Sequence, residues 1–241
     1  MFDGSLGLID LTLPSIEQNL ALDEWLLTAV NDGTVSPCLR LWEVDRFAVV
    51  MGSASRVDDE VDLPRCRQDG VPILRRCSGG GVVVLGSGCL AYTIVLPILE
   101  GDRNITAFTQ SLMGRVARAF QARVPGIEVC GTSDLAVNGK KVSGNAQRWR
   151  KRAALHHGTL LYDFPLDAVG RYLQMPLKEP EYRARRNHDD FVINLELSGS
   201  ELRAGLIDAW NATSMDFEVP SNAIDELVAS KYSTDAWNLR R

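Results

Sequence analysis

The chain has 241 residues, room for one large domain with a sizeable core. With 45% hydrophobic and 24% charged residues, its composition is that of a globular protein and excludes a disordered, collagenous or coiled-coil chain. Twenty-six basic against 31 acidic residues give a net charge of −5, which lends no support to non-specific nucleic-acid binding.

No stretch supplies the ~20 apolar residues of a membrane span. The longest candidate, 81–99, is interrupted by Gly86, Ser87, Gly88 and Pro97. The opening Met1-Phe2-Asp3-Gly4 lacks the basic and apolar regions of a secretory signal, so neither export nor membrane attachment is expected. The cysteines, Cys38, Cys66, Cys77, Cys89 and Cys130, are odd in number and form no C-x-x-C pair. That argues against a disulfide framework and a thiolate zinc site, and fits a cytoplasmic location.

In chain order, Ser15 and Gln18 form a capping box that opens a helix carrying Ile16, Leu20, Leu27 and Val30, which Asn31-Asp32-Gly33 stops. Short apolar runs then predict strands at 39–42, 48–51, 73–74, 81–85 and 90–96. A second amphipathic helix is expected over 105–124, with Ile105, Phe108, Leu112, Val116 and Phe120 on one stripe. Further strands are expected at 128–137, 141–146 and 155–162, with Asn138-Gly139 as a hairpin turn. The remainder reads as helices at 166–173, 200–212 and 223–231. No internal repeat or long linker divides the chain, so the expectation is one α+β domain over 1–241, with mixed or antiparallel sheets packed against helices.

Three clusters carry candidate chemistry. In Arg75-Arg76-Cys77-Ser78-Gly79-Gly80-Gly81, consecutive glycines let backbone approach a ligand and turn N–H groups toward an anion, while the arginines offer forked donors. A glycine-rich hairpin with solvated arginines reads equally well. Gly86-Ser87-Gly88-Cys89-Leu90-Ala91 matches the G-x-G-x-x-A spacing but leads into a strand, not a helix, so it is not a dinucleotide fingerprint.

In the second cluster, 133–144, the hairpin sets Lys140 and Lys141 on opposite faces of the returning strand, so one faces inward and the other is solvated. Beside a phosphate or an acyl carbonyl, the inward lysine would stabilise developing negative charge. Lys140, Lys141, Arg148, Arg150, Lys151 and Arg152, with Trp149, form a basic run that reads as an exposed loop or an acidic partner's dock. In the third cluster, His156-His157-Gly158-Thr159, strand alternation turns the two histidines apart, which disfavours a shared metal. One of them is expected to pack under the site and bond a backbone group.

The ordered set of these features resembles the catalytic domain of the lipoate-protein ligase family, which is related to biotin-protein ligases and octanoyltransferases. Asn19, Asp23 and Glu24, then Leu39-Arg40-Leu41-Trp42, Gly52 and Arg75-Arg76-x-Ser78-Gly79-Gly80-Gly81 follow the family's order. Asp134-Leu135, Lys141-Val142-Ser143-Gly144-x-Ala146 and His156-His157-Gly158-Thr159-Leu160-Leu161 continue it.

The resemblance implies that Lys141 is the catalytic residue. It further implies that Arg75, Arg76, Ser78, Gly79, Gly80, Gly81, Asp134, Ser143, Gly144, His157, Gly158 and Thr159 bind substrate and adenylate. ATP and Mg2+ are the implied cofactors, with lipoate as substrate. The implied acceptors are lipoyl domains of 2-oxoacid dehydrogenase complexes or the glycine cleavage H protein, with acyl carrier protein or an accessory activating protein as further partners.

Two positions depart from the family's better-known ligases: Leu85-Gly86 stands where they have His-Asp, and Ser133 where they have Asn. There is also little room after residue 200 for their large C-terminal accessory domain. The enzymatic alternative is an octanoyl or lipoyl transferase using a cysteine thioester, for which Cys130 is the candidate nucleophile. The non-enzymatic alternative is a protein that only binds acylated or lipoylated partners.

Overall fold

The computed structural model describes residues 2, 4–99 and 104–240. The chain opens with β1 (Gly7–Asp10) and α1 (Ile16–Asp32), followed by β2 (Cys38–Trp42) and β3 (Ala48–Met51). Two short helices, α2 (Val57–Glu60) and α3 (Leu63–Asp69), precede β4 (Ile73–Arg75), β5 (Val83–Leu85) and β6 (Cys89–Pro97). After α4 (Ile105–Phe120) come β7 (Ile127–Cys130), β8 (Asp134–Val137), β9 (Lys140–Ser143), β10 (Asn145–Trp149) and β11 (Ala153–Leu161). The chain then runs through α5 (Asp167–Tyr172), α6 (His188–Phe191), α7 (Gly199–Trp210), β12 (Thr213–Ser214), α8 (Ser221–Leu227) and α9 (Asp235–Asn238).

Among the described residues the strands form three sheets, confirming the α+β class with mixed and antiparallel pairing. The largest has the order β10-β11-β6-β2-β1-β12, with β12, β1 and β2 parallel and the rest antiparallel. A second sheet, β4-β3-β5, is mixed, and the third, β7-β8-β9, is antiparallel. Among the described residues no helix is long and apolar enough to cross a membrane.

Strand alternation explains why the large sheet is covered on both faces. Along β6, Cys89, Ala91 and Val95 join a core that includes Leu20, Leu22 and Leu26 of α1, whereas Leu90, Tyr92, Ile94 and Leu96 join one that includes α4 and α7. Helix α4 contributes Phe108, Leu112, Met113, Val116 and Phe120 to the second core. Each such side chain is worth roughly 1.5–3 kcal/mol of burial. Helix α1 has the expected capping box at Ser15 and Gln18 and ends on Gly33, whose φ of 75° closes a left-handed C-cap.

Several boundaries differ from expectation. Helix α4 stops at Phe120 rather than 124, and turns lead into β7. The expected strand 128–137 is a hairpin, β7–β8, folded back at Gly131, which has a φ of 57°. The expected strand 141–146 breaks at Gly144, so β9 and β10 belong to different sheets. Asn138 and Gly139 form the expected two-residue turn, with φ values of 51° and 72°.

Candidate functional site

Helix α1 and the glycine loop meet across a chain of buried polar groups. Asp23, on the sheet-facing side of α1, accepts from Arg40 Nη1 at 2.6 Å through Oδ1 and from Thr93 Oγ1 at 2.8 Å through Oδ2. His157 Nδ1 lies 3.4 Å from that second oxygen, and His157 Nε2 lies 2.6 Å from Ser78 Oγ. Ser78 Oγ in turn accepts from Arg76 Nε at 3.0 Å. Burial would raise the Asp23 carboxyl, but Arg40, with help from His157 and Thr93, holds it below the usual carboxylate value. Burial lowers His157 further than Asp23 raises it, so its imidazole is neutral at pH 7.

Arg76 shapes the glycine loop. Its Nη2 donates to the carbonyls of Gly79 and Gly81 at 2.6 and 2.8 Å, and its Nη1 to Val50 O at 3.1 Å. Desolvation brings this guanidinium down to about 10, still cationic at neutral pH. The loop also leans on Gly52, where a Cβ would stand 1.9 Å from Gly80 O.

Arg75 behaves differently from the expected ligand contact. It is fully buried, and its guanidinium donates to the carbonyls of Gly52, Ser55, Trp237, Asn238 and Arg240. The alternation of β4 turns it away from the cavity, so it fastens the C-terminal segment rather than lining the site.

Lys141 stands at the centre of three connected spaces. A cavity of about 170 Å³ has mixed walls, with Leu20, Trp42, Val50, Leu85 and Ala91 among its apolar residues and Asp23, Arg76 and His157 among its polar ones. A wider cleft is lined by Arg56, Glu60, Gly80, Arg183 and His188, and an apolar chamber by Val84, Leu161, Phe164, Ser143 and Phe191. Lys141 and Val82 line all three.

The ammonium of Lys141 is 2.9 Å from Asp134 Oδ1, and a Cβ on Gly144 would meet its Cε and Nζ at 3.2 Å, so the side chain lies over that glycine. Lys140 is half-buried rather than fully solvated. Asn145 donates through Nδ2 to Ser133 O and Ser143 Oγ and accepts from Tyr92 Oη, which fixes the cavity wall opposite Gly158.

The structure therefore brings Arg76, Gly81, Asp134, Lys141, Gly144, His157, Gly158 and Thr159 to the main cavity. Gly80 lines the outer cleft and Ser143 the apolar chamber, whereas Ser78 and Gly79 act from behind the loop. The expectation that a histidine bonds a backbone group is corrected: His157 bonds side chains, and His156 faces Met113 Sδ at 3.1 Å on the opposite side of β11. Burial lowers His156 to about 3, and its Nδ1 has no hydrogen-bond partner among the described residues.

The candidate nucleophile Cys130 ends β7 and does not line these three spaces. Burial, with Glu128 and Asp134 nearby, raises its thiol, which opposes thiolate formation. Sequence reasoning left Tyr92 and Asn145 out of the site, named Trp42 only within a motif, and gave the stretch holding Tyr182, Arg183 and His188 no role beyond a lid, a docking segment or a surface loop. It named Asp23 only as part of a motif, although an acid four residues after Asn19 on the stripe of Leu20 and Leu27 is a legible sign of a buried polar network.

The lipoyl protein ligase A/B catalytic-domain family model matches residues 15–204. Lipoate-protein ligase A subunit 1 of Thermoplasma acidophilum is 28% identical over 98% of this chain and 97% of its own length. Octanoyltransferase LipM of Brevibacillus brevis is 28% identical over 92% and 94%. The probable lipoate-protein ligase A of Mycoplasma pneumoniae is 32% identical over 65% of this chain, which spans only 45% of that longer relative. Among solved structures, a lipoate-protein ligase A bound with ATP superposes with a TM-score of 0.81 at 26% identity, covering 98% of this chain and 99% of that one. A bi-partite lipoate protein ligase, described with its E2 lipoyl domain, from Thermoplasma acidophilum gives 0.78 at 25% identity, covering 98% of each chain.

Proposed function

The chain belongs to the lipoyl protein ligase A/B catalytic-domain family, and on that premise we propose that it is a lipoate-protein ligase acting as one catalytic unit. The observation that carries this reading is the placement of Lys141 between a cavity with an apolar side and a wider cleft that the cations Arg56, Lys178 and Arg183 also line. The cavity suits the hydrocarbon and dithiolane of lipoate, with its carboxylate at the Lys141 end. The cleft suits the nucleotide.

In the proposed reaction the lipoate carboxylate attacks the α-phosphorus of ATP, pyrophosphate leaves, and a mixed anhydride forms. The amine of an acceptor lysine then attacks the acyl carbon, and AMP leaves. Lys141 would offset negative charge on the carboxyl and phosphate oxygens in both steps. Mg2+, when bound, would come with the nucleotide phosphates and offset their charge. Arg76 and the carbonyl-pinned glycine loop would close the cavity over the acyl chain, and the neutral His157 would hold its floor. Gly81, Asp134, Gly144, Gly158 and Thr159 are the proposed contacts around the reacting carboxyl. The proposed acceptors are lipoyl domains, the partner class described for the archaeal bi-partite ligase, together with the glycine cleavage H protein.

Similarity to LipM supports a second reading, octanoyl transfer from an acyl carrier protein. Intact-mass measurement of an apo lipoyl domain separates the two. A lipoyl gain that requires ATP and survives Cys130→Ala supports the ligase; an octanoyl gain from the carrier thioester that is lost with Cys130 replaces it. Lys141→Ala is expected to lower acyl transfer by about 100-fold or more with the fold intact. Unchanged turnover in that variant would remove Lys141 from the mechanism.

A further inference from the structure

The segment from Pro180 to Val192 packs beneath Lys141. Tyr182 Oη donates to Asp134 Oδ2 at 2.7 Å, while Lys141 Nζ bonds the other oxygen, Oδ1, at 2.9 Å. The phenol is held from several sides. Its ring packs against Phe191 with centroids 5.2 Å apart, and it lies so close to Gly131 that a Cβ there would meet the ring at 3.5 Å. Arg186 Nη2 donates to the carbonyls of Tyr182 and Gly139 at 2.6 and 2.8 Å, which ties this backbone to the β8–β9 turn. Farther along, Ile193 N–H donates to Lys141 O at 2.9 Å.

We propose that Tyr182 is a positioning residue for Lys141 that acts through Asp134: by occupying Oδ2, the phenol leaves the ammonium a single carboxylate oxygen and keeps its remaining donors turned toward the cavity. An ammonium has three N–H donors. A carboxylate with both oxygens free draws more of them to itself, whereas one oxygen spent on a phenol leaves a weaker and more directional partner. This inference rests on the reading of Lys141 as the central cation of the site. The other charged groups near the ammonium, Lys140 beside it on β9 and Arg56, Asp59, Glu60, Lys178 and Arg183 around the cleft, keep their side chains in Tyr182→Phe, and the cleft's His188 has its imidazole pushed down by burial.

Tyr182→Phe keeps the ring, its packing and the Arg186 contact to its carbonyl, and removes only the phenolic donor. In lipoyl transfer it is expected to lower kcat about five-fold while the lipoate KM changes less than about two-fold, because Lys141 is misdirected rather than lost. The independent readout is the rate at which a lysine-acylating reagent labels Lys141, quantified on its peptide by mass spectrometry. Labelling should slow about three-fold in Tyr182→Phe, and adding that change to Asp134→Asn should have no further effect, since coupled residues lose their interaction together.

Unchanged labelling in Tyr182→Phe, or equal slowing on the Asp134→Asn background, would overturn the inference. A wild-type protein that transfers no acyl group from either donor would sink the ligase reading instead, and the labelling comparison would still decide what Tyr182 does to Lys141.

Discussion

Ser78 Oγ and His157 Nε2 lie 2.6 Å apart although 79 positions separate them in the chain. This contact joins the glycine loop to β11 and, through His157 and Asp23, to helix α1. Removing the hydroxyl leaves both His157 Nε2 and Arg76 Nε without that partner. Ser78→Ala is therefore expected to cost about 1–3 kcal/mol. Thermal melting should show a drop of about 2–4 °C per kcal/mol, and lipoate binding should weaken as the loop loosens.

The histidine pair sets an acid limit on stability. His156 has an ordinary value of 6.5 that burial lowers to about 3, and His157 is lowered too. A depressed folded value means the unfolded chain binds the proton more readily between those limits. The stability His156 contributes is complete above pH 6.5 and is lost as the pH falls toward 3, and His157 adds a loss of the same sign on acidification. For His156 alone the loss by pH 5 is about 2 kcal/mol. Urea unfolding at pH 7.5 and pH 5 measures it, and His156→Leu should flatten the difference while retaining acyl transfer.

Two glycines should separate function from folding. At Gly144 the added Cβ of alanine crowds the flexible end of Lys141, at 3.2 Å, and meets Val83 Cγ1 at an ordinary 3.9 Å. Gly144→Ala is expected to lower turnover about ten-fold or more through a displaced ammonium, with melting nearly unchanged. At Gly158 the same atom would stand 1.7 Å from Asn145 Oδ1, inside the network of Tyr92, Ser133 and Ser143. Gly158→Ala is expected to lower the melting temperature as well as activity. Equal melting for the two variants would contradict this.

Cys130→Ala is expected to leave ATP-dependent lipoylation within about two-fold of wild type, because alanine keeps the backbone pairing with Asp134 and the lost thiol lines none of the three spaces. Assay of both donors in parallel checks it.

The legible parts of the fold were those with strong local chemistry. The capping box at Ser15 and the Asn138-Gly139 turn were readable because few backbone shapes satisfy those residues. Strand β1 was missed because Gly7–Asp10 is only four residues long and is stabilised by parallel neighbours that no local pattern reveals. Helix α3 buries only Cys66, so it has no apolar period to read.

In the site, Arg75 and Arg76 are the same residue type side by side, and only the register of β4 tells which one turns toward the cavity. Tyr182 and Asp134 are 48 positions apart, and their contact depends on how a loop packs rather than on any motif.

The many carbonyls around Arg75 have a consequence for where the cooperative unit ends. The family match stops at residue 204, yet the acceptors that solvate this buried cation include residues 237, 238 and 240. A fragment cut to the matched length would remove three of the five carbonyls that accept from this guanidinium, leaving Gly52 and Ser55. Residues 237–240 thus hold the end of β4 from outside the stretch that family resemblance outlines, and a design that trims to that stretch removes these contacts.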